Sequence, residues 1–537
     1  MRPANRPYPL LLIVLFAVQF FFVSPAGEFA LNDDWVHAEM IRHWVETGEL
    51  KMNPFTGPTL HWLILLGALA AKIGGFSFTL LRLTTLAFTL ALILLTYYFL
   101  HRVTRRQDLA FIGALLVWLN PIAYNLSFTY MTDIPALCLL TGSLFAYHRA
   151  FSGDGARWLC VGSLAAVLGF YTRQTNLMIL AAAGIAALLW YQNRFSRRQI
   201  LFGFGLPLAI WAAVYLWLAA KNLLPAGGSL HFISGIRPAL SHGAWWIWYL
   251  LIYSGLFFLP LILGAITARP RDKKLPALAA GTVMLALAVM IFIRTERLFP
   301  YAPNMIHAFG LGPMAGVLRG DFVPLFTDFA RLTLTAAGAL GAGWLVQFLS
   351  ARRATPPALR FVWLSLALLS APILLFQSFD RYLLPLLSLL AALVLYRLRE
   401  QQFRPLGYVA LGAVLALYAV FSLSQTAFYL AWNETRWRLA DSVLSAGTPA
   451  AMIDGGYEWD GWHSYWEAQA SGRKKGPVGS PWWIRYLIVN NTEEYVVSAS
   501  PLESYTVLRA ESVPGWNPNR RLYLLQRRQD DNTQAKP

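Results

Sequence analysis

Charge is what this sequence lacks. Asp, Glu, Lys and Arg together supply only 13% of 537 residues, about half of the roughly 25% that solvates an ordinary soluble domain. That shortfall excludes a water-soluble enzyme. Cysteine is nearly missing too: Cys138 and Cys160 both fall inside apolar runs. No disulfide framework is available, and both read as small buried apolar side chains. Acidic residues number 27 against 44 basic ones. Zinc-ligand spacing, an HExxH pattern and RNA-binding signatures are all absent from the sequence. The net charge of +17 and pI near 9.9 therefore do not point to nucleic acid.

What is present is apolar. Hydrophobic residues make up 57% of the chain, and the mean hydropathy is +0.48. Apolar runs near or above ~18 residues recur, each long enough for a helix to cross a bilayer. Short basic clusters alternate with pairs of these runs: Arg102, Arg105 and Arg106; Arg149 and Arg157; Arg194, Arg197 and Arg198; Arg269, Arg271, Lys273 and Lys274; Arg352, Arg353 and Arg360; Arg397, Arg399 and Arg404. Basic clusters of this kind mark cytoplasmic loops.

The sequence thus predicts a polytopic α-helical membrane protein of about thirteen transmembrane helices. The spans fall near 8–24, 78–100, 108–126, 134–150, 157–171, 175–191, 200–220, 244–267, 275–294, 327–349, 360–377, 380–397 and 406–427. The first run follows Arg2 and Arg6 and is read as a retained span, although a signal peptide has a similar pattern. Residues 59–75 form a short run ending in Gly74 and Gly75, read as an interfacial or re-entrant helix on the external side. Parity then puts the amino terminus in the cytoplasm. External loops fall at 25–77, 127–133, 172–174, 221–243, 295–326 and 378–380. Residues 1–427 form the transmembrane domain. The polar remainder, 428–537, reads as a small α/β external domain with a helical pattern at 434–444 and strand-like runs at 450–453, 486–489, 495–498, 505–508 and 522–525.

With so few acids, their positions carry information. Asp33 and Asp34 are adjacent just beyond the first span, and Asp133 opens the span after a short external loop. An Asp before a helix often serves as its N-cap. That reading explains Asp133 and one of the pair and leaves a second carboxylate over, suited to general base work. Arg82, Arg173, Arg237 and Arg381 break the positive-inside bias at the external ends of apolar helices. Each alone also fits an interfacial anchor. Together they would supply planar donor forks for phosphate oxygens. His37, His43 and His61 share the first loop without metal-site spacing, and read as satisfied polar residues. Tail tryptophans such as Trp459, Trp462, Trp466, Trp482 and Trp483 read as domain core or interface markers, with sugar stacking as the alternative.

The order and sidedness of these residues resembles the GT-C superfamily of polyprenyl-phosphate-sugar-dependent glycosyltransferases, in particular bacterial members related to protein O-mannosyltransferases and the aminoarabinose transferase of lipid A. The resemblance rests on Asp33, Asp34, Trp35, His37 and Glu39 early in the external loop, then Leu80-Leu81-Arg82-Leu83, Thr132-Asp133, Thr172-Arg173-Gln174-Thr175 and Arg381-Tyr382-Leu383-Leu384-Pro385. One departure is the segment Gly57-Pro58-Thr59-Leu60-His61, where relatives often carry a Lys-Pro-Pro-Leu-like turn. His61 or Lys51 would substitute for that lysine, or an arginine elsewhere would suffice.

The resemblance implies transfer of a hexosyl or pentosyl group from a polyprenyl-phosphate-linked sugar to an acceptor glycan, lipid or protein, with inversion. Asp33 would be the general base, with Asp34 and Asp133 orienting the acceptor or stabilising charge on the sugar. Arg82, Arg173, Arg237, Arg381, Tyr382 and His61 would hold the lipid phosphate. No cofactor or metal is expected, and the partners beyond substrates are membrane lipids, not nucleic acid. The implied location is the bacterial inner membrane, with a periplasmic site and carboxy-terminal domain. A lipid-linked glycan flippase and a non-catalytic glycan-binding scaffold are the rival readings.

Overall fold

The computed structural model describes residues 7–57, 59–224, 236–268, 275–350, 356–376, 379–471, 482–487 and 493–528. The first half runs α1 (Tyr8–Val18), α2 (Asp34–Thr47), α3 (His61–Gly74), α4 (Phe78–Thr104), α5 (Gln107–Trp118), α6 (Pro121–Leu126), α7 (Asp133–Ser152), α8 (Arg157–Phe170), α9 (Leu177–Trp190), α10 (Arg197–Ile200) and α11 (Leu206–Ala220). The second half continues with α12 (Ile236–Phe257), α13 (Leu259–Ala268), α14 (Leu275–Thr295), a short hairpin of β1 (Ile306–His307) and β2 (Gly310–Leu311), α15 (Met314–Val317), α16 (Asp328–Ser350), α17 (Pro357–Leu375), α18 (Leu384–Leu398) and α19 (Pro405–Ser445). After these come β3 (Ile453–Asp454), α20 (Tyr457–Ala470), α21 (Ile484–Leu487), β4 (Tyr495–Ser498), β5 (Tyr505–Ser512) and β6 (Arg521–Arg527).

Local chemistry sets many of the helix ends. The Ser77 hydroxyl accepts the Leu80 N–H at 3.0 Å and caps α4. Asn120 caps α6 with Pro121 in its first turn. Gly48 and Gly153 close α2 and α7 in the left-handed region, at φ 79° and 109°.

Every one of the thirteen expected spans overlaps helical residues, but 108–126 is divided between α5 and α6 and 244–267 between α12 and α13. Among the described residues, seven helices are long and apolar enough to cross a bilayer. The count is eight if α12 and α13, bent by 61° at their junction, make one broken span. Five shorter apolar helices accompany them, among them the stretch expected to be re-entrant, His61–Gly74. Fourteen residues of helix reach roughly 21 Å, short of a ~30 Å hydrocarbon core. Packing between helices uses small residues. A Cβ on Gly255 of α12 would collide with the Gly338 carbonyl of α16, so the two backbones touch directly.

The polar tail differs from expectation in three places. Residues 434–444 do not start a new helix: α19 runs unbroken for 41 residues from the last expected span into the tail. The boundary near 427 therefore lies inside one helix, where the apolar sequence turns polar without a helix breaker. Residues 486–487 are helical, in α21, rather than strand, and 488–489 lie outside the described residues. Residues 450–452 form a 3-10 turn before β3. The remaining runs are strands in a four-stranded sheet of order β3-β4-β6-β5, parallel between β3 and β4 and antiparallel elsewhere. Of the tail tryptophans, Trp459 and Trp483 are buried in the core, whereas Trp466 and Trp482 are exposed.

Candidate active site

Four chain segments far apart in sequence meet where helices begin: the starts of α2, α7 and α18, and the turn between α8 and α9. Helix amino termini carry partial positive charge and free N–H groups, so their convergence favours an anion.

Asp33 and Asp34 stand in different surroundings. Asp34 opens α2 and is buried. Its two carboxylate oxygens accept the N–H groups of Leu31 and, at 3.2 Å, Tyr130. Burial pushes its pKa from 3.8 to about 7, against the opposing pull of Arg82 and these two N–H groups. Asp33 is in the cap position but caps nothing with its side chain, which is 40% exposed. Its Oδ1 accepts the Tyr457 hydroxyl at 2.7 Å, and its Oδ2 lies 3.7 Å from Arg381 Nη2.

Arg381 and Arg173 flank Asp133, whose carboxylate is almost sealed from solvent at 2% exposure. Arg173 Nη1 is ion-paired with Asp133 Oδ1, and Arg381 Nη1 lies 4.0 Å from Oδ2. The Tyr382 ring is shared, with Arg173 at 4.5 Å and Arg381 at 5.7 Å from its centroid. Ahead of Arg381, the buried Asp380 accepts backbone N–H groups of Asn304, Met305 and Ile306. This clamps the loop before β1 to the start of α18.

His37, one turn after Asp33 on α2, completes the group. It is buried, with Nδ1 3.0 Å from the Tyr130 carbonyl oxygen. Burial lowers its pKa below 6.5; the Tyr130 contact and the charges of Asp33 and Asp133 raise it, and Arg381 lowers it further.

The carboxy-terminal region reaches into the same place. Tyr457 and Glu458 open α20. Burial, then the Asp33 charge, pushes the Tyr457 hydroxyl well above its usual 10, so it stays a donor. Glu458 Oε1 accepts the Asn32 N–H at 2.9 Å, and its Oε2 pairs with Arg436 Nη2 at 2.7 Å. Neither side chain of that pair is exposed. Asn32 sits in the left-handed region at φ 55°, so Glu458 fixes the turn that aims Asp33. Gly461 of α20 lies flat on the Trp35 indole, where a Cβ would collide.

Asp33, Asp133, Arg173, Arg381 and Tyr382 therefore come together, and three of the expected site residues, Asp34, Arg82 and His61, are engaged elsewhere. Asp34 is buried and spends both oxygens on backbone donors. Arg82 is buried, donates to the carbonyls of Pro25, Gly27 and Phe29, and lies over the Phe29 ring at 4.1 Å. Those contacts order the first loop and leave no donor fork facing outward. Both His61 nitrogens are taken by carbonyls, of Thr59 and Leu223, each at 2.8 Å. The Arg237 side chain lies outside the described residues. Asp133 is held between Arg173 and Arg381 with its carboxylate buried. Tyr457 and Glu458 went unread in the sequence, although the acidic and aromatic run from Asp454 to Trp462 was visible there. His37 was visible as the fourth residue after Asp33. Among the described residues, no three His, Cys, Asp or Glu side chains are grouped to hold a metal ion.

No curated protein matches the chain. Among solved structures it is similar to ArnT from Cupriavidus metallidurans bound to undecaprenyl phosphate, at 13% identity and TM-score 0.39, covering 97% of this chain and 98% of that one. The apo state of the same protein gives 13% and 0.38, with 96% and 97% covered. The arabinosyltransferase EmbB from Mycobacterium smegmatis gives 15% and 0.35, with 79% and 41% covered. The family described as dolichyl-phosphate-mannose-protein mannosyltransferase matches residues 55–217, a stretch that contains Arg82, Asp133 and Arg173. Over that stretch the resemblance to the polyprenyl-phosphate-sugar-dependent glycosyltransferases is matched by a family of that kind.

Proposed function

We propose that this chain is a membrane glycosyltransferase that moves a hexosyl or pentosyl group from a polyprenyl-phosphate-linked sugar to an acceptor glycan, lipid or protein. The reaction takes place at the external face of a bacterial inner membrane, with the amino terminus in the cytoplasm and the carboxy-terminal region outside. The observation that carries this reading is the pairing of Asp33, exposed and 3.7 Å from Arg381, with the Arg173–Asp133–Arg381 group.

In the proposed reaction, Asp33 removes the proton of the acceptor nucleophile as it attacks the anomeric carbon. The bond from that carbon to the phosphate oxygen breaks, and the electron pair leaves with the lipid phosphate. One displacement inverts the centre. Asp33, Asp133, Arg173 and Arg381 cancel in formal charge before reaction. When Asp33 takes a proton, the group gains one positive charge as the departing phosphate gains one negative. Arg173 and Arg381 face that developing charge from fixed positions, which is the electrostatic share of catalysis. Asp133 holds the arginines apart and in register, and Tyr382 supports both from one side. Tyr457 occupies Asp33 Oδ1 and leaves Oδ2 to receive the proton. A lipid donor in the bilayer and an acceptor from water meet at such an interface.

The test uses full-length protein in vesicles with a panel of undecaprenyl-phosphate-linked hexoses and pentoses plus bacterial envelope lipids and glycans. Release of undecaprenyl phosphate with label transferred to an acceptor is expected. Movement of the lipid-linked sugar across the vesicle without transfer overturns the reading in favour of a flippase.

A further inference from the structure

One polar atom at the site has no role in the reaction above. His37 Nδ1 lies 3.0 Å from the Tyr130 carbonyl oxygen. A carbonyl only accepts, so Nδ1 carries the hydrogen, and in the neutral ring Nε2 keeps its lone pair. Nε2 has no hydrogen-bond partner among the described residues, yet it is not among the buried polar atoms sealed without a partner, so it keeps a small accessible area in a side chain that is otherwise buried. The charges around the ring come from three elements: Asp33 at the start of α2, Asp133 at the start of α7 and Arg381 before α18. The accessible nitrogen therefore belongs to the same group as the exposed carboxylate, one helical turn from it.

We infer that His37 is a substrate-binding residue whose Nε2 accepts a hydrogen bond from a substrate hydroxyl beside the one that Asp33 deprotonates. The inference rests on the transferase reading and adds a requirement to it, that the substrate present a second donor to this face. A neutral imidazole fixed at Nδ1 is a pure acceptor at Nε2, and a site that offers a buried acceptor rejects substrates lacking the donor. Burial and Arg381 oppose protonation of the ring, while Asp33, Asp133 and the Tyr130 carbonyl favour it. Protonation would turn Nε2 into a donor, so the contact is lost as pH falls.

Two substitutions separate this role from a structural one. His37→Asn keeps a side-chain N–H near the Nδ1 position, able to reach the Tyr130 carbonyl, and removes Nε2. His37→Gln places an amide near Nε2 and gives up the Nδ1 contact. Turnover is read as release of undecaprenyl phosphate from the lipid-linked sugars, across pH 5 to 8, beside wild type and Asp33→Asn. The inference expects kcat/KM of His37→Asn to fall at least tenfold with an altered acid limb, and His37→Gln to keep more activity than His37→Asn. Full activity in His37→Asn with loss in His37→Gln would show that only the Nδ1 anchor matters and would overturn it. If Asp33→Asn is inactive while His37→Asn is fully active, this inference fails and the transferase reading stands. A wild type that turns over none of the lipid-linked sugars overturns both. Nitrogen-15 chemical shifts of His37 give a readout free of substrate. An unprotonated Nε2 at pH 7 is expected, and hydrogen on Nε2 with none on Nδ1 would refute the assignment.

Discussion

Replacing Asp34 by Asn tests the division of labour within the acidic pair through stability alone. The folded-state pKa of Asp34 is raised by burial from 3.8 to about 7. A carboxyl raised in this way contributes stability that is fully present below about 3.8 and is lost as pH rises through about 7. At about 1.36 kcal/mol per tenfold change in proton affinity, the span is of order 4 kcal/mol. The substitution also has a constant cost. An amide has one acceptor oxygen, whereas Asp34 meets two backbone donors, of Leu31 and Tyr130. Leaving one donor unmet costs about 1–3 kcal/mol. The variant is thus expected to gain on wild type by roughly 2–3 kcal/mol between pH 5 and pH 8. Thermal unfolding of the detergent-purified pair at pH 5, 6, 7 and 8 measures this. A gap between the two that does not change with pH would refute the reasoning, because Asp34 would then not titrate across that range.

Three further outcomes are expected. Glu458→Gln leaves Arg436 buried without its anionic partner and should cost about 3–5 kcal/mol, seen as a lower unfolding temperature; a double replacement, Glu458→Leu with Arg436→Met, should recover part of it. Gly461→Val drives two methyl groups into the Trp35 ring, so limited proteolysis should release the carboxy-terminal region from the loop it covers faster than in wild type. Arg381→Lys keeps the charge but loses the planar fork that spans Asp33 and Asp133; KM for the lipid-linked donor should rise about tenfold or more, with unfolding temperature little changed.

The sequence spoke clearly where the physics is one-dimensional. Apolar run length placed helices, and the scarcity of charge marked Asp33, Asp133, Arg173 and Arg381, which share one site. It was silent where direction matters. Neighbouring residues at a helix start point to different sides, so adjacency could not say that Asp34 turns inward to Leu31 and Tyr130 while Asp33 turns out. Arg82 looked like a free external cation because the three carbonyls that occupy it belong to an irregular loop some 53–57 positions away. Tyr457 meets Asp33 across 424 positions, a separation no local pattern reports. The helical continuity of α19 through its change from apolar to polar was hidden for a related reason. Composition announced a boundary there, but neither Pro nor Gly interrupts the backbone.

Transfer by Asp33→Asn protein is the measurement closest to the account's central claim. The amide keeps the size of the carboxylate and an acceptor oxygen for Tyr457, and it cannot take a proton from the acceptor. The expected result is a folded protein with wild-type unfolding temperature that still binds undecaprenyl phosphate and whose sugar transfer has fallen by about 10²-fold or more, the usual range for removal of a general base. Wild-type transfer by a normally folded Asp33→Asn protein would contradict it.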